Sequence, residues 1–124
     1  MDQVAVRVRR VYEPPEPSDG QRVLVDRLWP RGLPKAAAQL DAWLRDVAPS
    51  SALRTWYGHD PERWPEFEQR YRAELEEPPR RELDDDLVRR ARSGPLTLLC
   101  AARDPERSNA AVLQSVIRAR LGST

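Results

Sequence analysis

Cysteine and histidine are almost missing from this sequence, with Cys100 and His59 as the only examples among 124 residues. A single cysteine cannot form an internal disulfide, and such scarcity is typical of proteins from reducing compartments. A structural zinc site takes four Cys or His ligands, more than this chain offers. We therefore expect no disulfide scaffold and no metal site, with carboxylate-bound magnesium as the alternative.

Long apolar runs and glycine-rich phosphate loops are missing as well. No stretch approaches the roughly 18 apolar residues that a membrane span needs. The N-terminal MDQVAVRVRR lacks the apolar core of a secretion signal. Neither the dinucleotide-binding glycine pattern nor the P-loop pattern occurs, which argues against a standard nucleotide enzyme. We expect a soluble, cytoplasmic protein with no membrane partner, and its cofactor stays unknown.

A net charge of either sign is also absent, because 21 basic residues face 20 acidic ones and leave a formal charge of +1. Any attraction to nucleic acid or to anionic membranes must then come from local clusters. Forty per cent of the residues are apolar, and 124 residues suit one domain better than two. We expect a single domain over residues 1–124.

Three segments have the pattern of β-strands. Val4, Val6 and Val8 alternate with other residues, as in a strand with one face in water. Residues 23–25 and 96–102 are apolar without alternation, which is typical of strands covered on both faces. The second and third strands are therefore expected at the centre of a sheet.

Helical spacing of apolar residues occurs in five segments. These segments lie within 40–47, 53–57, 64–75, 83–91 and 110–121. The tetrapeptide Asp-Pro-Glu-Arg occurs at 60–63 and again at 104–107, where an aspartate cap followed by proline suits a helix start.

This order of elements predicts an α/β fold: a single small domain with a short, mostly parallel three-stranded sheet packed with about five helices. The long helical connection makes the second and third strands parallel. The short link after the first strand allows either a hairpin or a parallel crossover.

Charged residues follow the second and third strands, and ligands of open α/β sheets bind beyond the carboxyl ends of parallel strands. Arginine forks match phosphate and carboxylate groups, so we predict an anion site at this edge. Its ligand-binding candidates are Arg27, Trp29, Arg31, Lys35, Arg103 and Asn109. Its catalytic candidates are Asp26, Asp104 and His59. The alternative is that Asp26 only pairs with nearby arginines to hold the loops.

His59 and Cys100 have structural alternatives too. An imidazole next to Asp60 can act as a general acid or base, but its position before the cap favours packing on Trp64 as a staple-like contact. Cys100 lies inside an apolar strand, which favours a buried thiol over a reactive one.

Several long motifs resemble the YeaO-like family of uncharacterised bacterial proteins. They are V-D-R-L-W-P-R-G at 25–32, G-H-D-P-E-R-W at 58–64 and T-L-L-C-A-A-R-D at 97–104. The resemblance covers nearly the whole chain and implies a domain of unknown function. Cys100 stands where tyrosine is common in that family and Arg103 where lysine is common, which weakens any general role for the thiol.

Two functional hypotheses follow from the sequence. In the first, the protein binds a small anionic molecule such as a phosphate, nucleotide or carboxylate at the strand ends, with or without catalysis. In the alternative, it is a nucleic-acid-binding or regulatory module that uses the arginines of residues 80–92. The sequence leaves the oligomeric state unknown.

Overall fold

A computed structural model describes residues 6–122 and contains four strands and five α-helices in that range. The strands are β1 (Val6–Arg10), β2 (Gln21–Leu24), β3 (Ala42–Trp43) and β4 (Leu96–Cys100). The helices are α1 (Lys35–Ala38), α2 (Ser51–Tyr57), α3 (Trp64–Glu74), α4 (Arg80–Ser93) and α5 (Asn109–Leu121). Short 3-10 turns cover Pro17–Asp19, Arg45–Val47, Pro61–Arg63 and Pro105–Arg107. Across residues 6–122, no helix combines the length and apolarity that crossing a bilayer would require.

The four strands form one parallel sheet in the order β1-β4-β2-β3. Leu98 of β4 is paired with Val8 of β1 on one side and with Val23 of β2 on the other. The predicted parallel pairing of the second and third sequence strands is confirmed, and the first strand takes the parallel alternative. Because β4 lies between two strands, all five of its residues are buried.

The prediction of three strands was wrong, because β3 forms within the segment expected to be a helix over residues 40–47. Leu40 and Trp43 pack on one face of the sheet, whereas Leu44 and Val47 pack on the other. The backbone of this segment forms hydrogen bonds with β2 and not the hydrogen bonds of an α-helix. One example is the 2.9 Å hydrogen bond from Leu44 N–H to the Leu24 carbonyl. Apolar residues three and four apart can thus serve two faces of a sheet edge as well as one face of a helix.

Helices cover one face of the sheet, and loops with the short helix α1 cover the other. The helix-covered face carries the main core, which includes Val23, Leu98 and Phe67. The opposite face has a smaller cluster around Leu24 and Leu99.

The two Asp-Pro-Glu-Arg segments begin as predicted with an aspartate cap. The Asp60 and Asp104 carboxylates accept hydrogen bonds from the backbone N–H two residues later, and each opens a 3-10 turn. The second turn leads into α5, whose N-cap is Ser108. This connection brings the start of α5 to the carboxyl end of β4, where the candidate site lies.

Candidate ligand-binding site

The segments that follow β2 and β4 meet at one edge of the sheet and enclose a cavity of about 580 Å³. The two strands are direct neighbours, so residues 26–31 and 101–109 lie side by side despite their distance in sequence. Helix α2 and the turn after it complete the wall with Arg54, Tyr57 and His59. A cavity of this size is within the range of about 300–1,000 Å³ usual for small-molecule sites.

Asp26 is half-buried at this cavity and is held in place from both sides. Its Oδ2 accepts a 2.8 Å hydrogen bond from the backbone N–H of Ala101, and its carbonyl accepts a 2.7 Å bond from the indole N–H of Trp43. Burial raises the pKa of the Asp26 carboxyl above its ordinary value. The Ala101 and Asn109 contacts and the charges of Arg54 and His59 offset only part of that effect.

Four arginines line the same cavity, and Asp26 is its one acidic lining residue among the described residues. Arg27 forms a 3.6 Å ion pair with Asp46, and Arg107 forms a 2.9 Å pair with Asp104. Within residues 6–122, Arg31 and Arg54 have no acidic partner closer than 4 Å. The lining therefore carries a net positive charge, although Arg54 is close enough to Asp26 to lower the pKa of its carboxyl.

A second cavity of about 490 Å³ adjoins the first and contains Arg103 and Asp104. Both cavities are lined by Tyr57, His59, Ala101, Ala102 and Arg107, so they form one continuous cleft.

The structure places the nine predicted residues unevenly along this cleft. The first cavity holds Asp26, Arg27, Trp29, Arg31, His59 and Asn109. His59 also borders the second cavity, together with Arg103 and Asp104. Lys35 begins α1 and lines neither cavity.

His59 occupies an unusual backbone position at the boundary of the two cavities. Its φ is +59° and that of Gly58 is +54°, so two consecutive residues adopt the left-handed conformation. The imidazole is exposed, and its ring centroid lies 5.8 Å from that of Tyr57, not against Trp64 as the staple-like alternative had it. The Tyr57 hydroxyl in turn donates a 2.9 Å hydrogen bond to the Arg107 carbonyl.

Asn109 and Trp29 are fixed by bonds within the protein. The Asn109 amide donates a 2.9 Å hydrogen bond to the Val25 carbonyl and so ties the start of α5 to the end of β2. The Trp29 indole N–H donates to the Leu33 carbonyl at 2.8 Å, and its ring meets Trp43 edge-on at a centroid distance of 5.4 Å. Both side chains shape the cavity wall.

Sequence reasoning missed Arg54, Arg107, Tyr57 and Tyr12 as lining residues. Arg107 is the last residue of the second Asp-Pro-Glu-Arg segment. This segment follows a predicted central strand, and that position could have indicated that Arg107 lines the site. Arg54 is on a helix far along the chain, and no local pattern separates it from the other arginines. Tyr12 follows β1, and its hydroxyl donates a 2.9 Å hydrogen bond to the Arg31 carbonyl.

The described residues offer neither a cluster of metal ligands nor an exposed thiol at this site. In the described part of the chain, no three His, Cys, Asp or Glu side chains cluster as metal ligands would. The Cys100 thiol is fully buried in β4, which confirms the structural alternative for its placement. Burial, with the nearby Asp26 charge, raises the pKa of Cys100 to about 11, so the nucleophilic thiolate is scarce at neutral pH.

Known proteins are similar in sequence to this protein over almost the whole chain. A family model described as "Inactive DUF488-N3 subclade" matches residues 5–124. The uncharacterized protein Rv3073c of Mycobacterium tuberculosis is 47% identical over 115 residues, which cover 93% of this chain and 95% of the relative. The uncharacterized protein YeaO of Escherichia coli is 38% identical over 113 residues, with coverages of 91% and 96%. No solved structure gives a significant match.

Proposed function

The chain belongs to the family described as the inactive DUF488-N3 subclade, and from this premise we propose that it binds a small anionic ligand at the carboxyl ends of its strands without transforming it. The word "inactive" in the family description supports binding without turnover. The buried, protonated Cys100 also supplies no nucleophile.

One observation carries the proposal: guanidinium groups from three separate segments converge on one cavity. Arg27 and Arg31 come from the loop after β2, Arg54 from α2 and Arg107 from the turn before α5. Guanidinium groups bind phosphate and carboxylate through paired, charge-assisted hydrogen bonds. Only Asp26 opposes them among the described lining residues.

The arginines have different roles in this proposal. Arg31 and Arg54 hold the anion first, because neither is committed to an ion pair within the described chain. Arg27 and Arg107 also bind the anion, and to do so they give up their ion pairs with the exposed Asp46 and Asp104. This costs little, since exposed ion pairs contribute only about 0–1 kcal/mol.

The three residues predicted to be catalytic act here by orienting the ligand. Asp26 accepts hydrogen bonds at the cavity floor, and His59 contacts the ligand at the junction of the two cavities. Asp104 holds the Arg107 guanidinium at the cavity wall through their ion pair until the anion takes its place.

Thermal unfolding with inorganic phosphate tests the proposal. A ligand at ten times its dissociation constant stabilises the native state by roughly 1.4 kcal/mol. For a domain of this size the melting temperature should then rise by about 4–8 °C. Arg31→Ala should abolish the saturable part of this shift. Arg89→Ala, which removes an exposed arginine of α4, should keep it and serves as the matched control.

The same pair of variants separates the proposal from nucleic-acid binding. On α4, Arg81 pairs with Asp85, while Arg89 and Arg90 both pair with Asp86, so these three arginines already have acidic partners on their own helix. Tight DNA binding that falls steeply with salt, weakens in Arg89→Ala and ignores Arg31→Ala would overturn the anion site. An equal phosphate shift in wild type and Arg31→Ala would do so too, because excluded salts stabilise any protein non-specifically.

A further inference from the structure

The least expected feature of the anion site is the carboxylate at its floor. A bare phosphate entering this cavity gains attraction from four arginines but meets repulsion from Asp26. Within residues 6–122, no arginine forms an ion pair with Asp26 at 4 Å or less, and the charge of Arg54 acts on its carboxyl from a longer distance.

Asp26 retains capacity to accept hydrogen bonds from a ligand. A carboxylate offers about four lone-pair positions. The Ala101 N–H takes one of them and the Asn109 amide interacts with another, so about two stay available. The Trp43 indole bonds the Asp26 carbonyl and not its carboxylate, so it fixes the backbone while leaving the side chain available. Such an acceptor in a cationic cavity suits a ligand that carries donors as well as an anion.

Ring-bearing side chains contribute to the wall of the cavity that Asp26 and the arginines also line. Tyr12, Trp29, Tyr57 and His59 all line the first cavity. Flat side chains of this kind suit a planar heterocycle. The adjoining cavity, reached past Tyr57 and His59, leaves room for the rest of an extended ligand.

We propose that the ligand is a guanine nucleotide, whose base donates hydrogen bonds to the Asp26 carboxylate and whose phosphate is bound by Arg31 and Arg54. This inference rests on the proposed anion-binding function and names the class of anion. Guanine presents two adjacent donors, N1–H and the 2-amino group, which a carboxylate can accept together. Adenine, cytosine and uracil each place a ring or carbonyl acceptor next to their donor, and Asp26 would repel that acceptor.

Titration calorimetry with GMP, AMP and inorganic phosphate tests the inference on the full chain. Wild-type protein should bind GMP at least about tenfold more tightly than AMP, consistent with two extra hydrogen bonds to a charged group. IMP keeps N1–H but lacks the 2-amino group, so its affinity should fall between those of GMP and AMP. This ligand series needs no variant and therefore no assumption about folding.

Asp26→Asn provides the matching change in the protein. The amide oxygen can still accept the Ala101 N–H, so the loop after β2 should keep its place. GMP and AMP should then bind within about threefold of each other, while phosphate binds as tightly as before or more tightly because a negative charge has gone. Asp86→Asn, the same substitution on α4, should leave the GMP to AMP ratio unchanged.

Failure of this inference is distinguishable from failure of the proposed function. Phosphate binding with equal affinities for GMP and AMP in wild type overturns the inference and leaves the anion site standing. If Asp26→Asn retains the preference for GMP, or lowers the affinities for phosphate and GMP equally, Asp26 does not contact the base and the inference is wrong. If neither phosphate nor any nucleotide binds, both proposals are wrong.

Discussion

Replacing Asp19 by alanine should lower the free energy of unfolding by about 3–5 kcal/mol, because it removes the acidic partner of the buried Arg22 guanidinium and one acidic partner of Arg9. Asp19 precedes β2, and its side chain is completely buried on the loop-covered face of the sheet. Its Oδ2 accepts hydrogen bonds from Arg22 at 2.6 Å and from Arg9 at 2.9 Å. The Arg22 side chain is only 6% exposed and has no other acidic partner among the described residues, so water replaces Asp19 poorly there, whereas Arg9 keeps Glu13 and Glu16 within 4 Å.

The magnitude follows from the difference between buried and exposed ion pairs. Breaking a buried pair on one side typically costs several kcal/mol, whereas an exposed helical pair contributes about 0.5 kcal/mol or less. Glu66 and Arg70 on α3 form such an exposed pair, with both side chains about half exposed. Glu66→Ala is therefore the control, and the two variants should differ by at least about 2 kcal/mol.

Acid should reduce the effect of Asp19→Ala. Burial raises the pKa of the Asp19 carboxyl, but hydrogen bonds from Glu16 N–H, Arg22 and Arg9 outweigh it and bring the pKa below its ordinary value. A lowered pKa in the folded state stabilises the protein fully above the unfolded pKa of about 3.9, and this stabilisation is lost as the pH falls through the folded value. The gap between wild type and variant should stay constant from about pH 6 to 8 and narrow below about pH 4.

Urea unfolding followed by tryptophan fluorescence measures both effects. With a slope of about 1–3 kcal/mol per molar urea, the midpoint of Asp19→Ala should fall by at least about 1 M at pH 7. A loss no larger than that of Glu66→Ala would refute the reasoning, as would a gap that widens in acid. Circular dichroism in the absence of urea establishes that the variant is folded before the comparison is made.

Three further predictions test the core, the turns and the thiol. Leu98→Ala should cost about 2–5 kcal/mol in urea unfolding, because Leu98 is fully buried in the central strand. Gly20→Ala should destabilise more than Gly32→Ala: both glycines have positive φ, but a Cβ at Gly20 would overlap the Pro95 carbonyl, whereas Gly32 faces open space. Cys100, whose pKa burial raises to about 11, should react with a thiol reagent at pH 8 roughly 100-fold more slowly in native protein than in urea, and equal rates would contradict its placement.

Several features of this protein were determined by short stretches of sequence. The helix starts at Asp60 and Asp104 depend on residues within two positions of the cap, so local chemistry decides them. The apolar run of residues 96–100 predicted a covered central strand, because only a strand buried on both faces has no polar alternation. The sequence also predicted that Asp26 and the nearby arginines lie together at the strand ends, since parallel strands bring their carboxyl ends to one edge of the sheet.

Other features were decided only by the tertiary structure. Whether residues 42–43 join a helix or a sheet depends on the free edge of β2, which lies about twenty residues away. The hydrogen bond that orients Asp26 comes from Ala101, 75 residues along the chain, and Arg54 reaches the cavity because α2 packs beside the strand ends. Such contacts leave no pattern in the local sequence. Their free energy comes from burial and pairing between distant segments, and those segments meet only when the chain is folded.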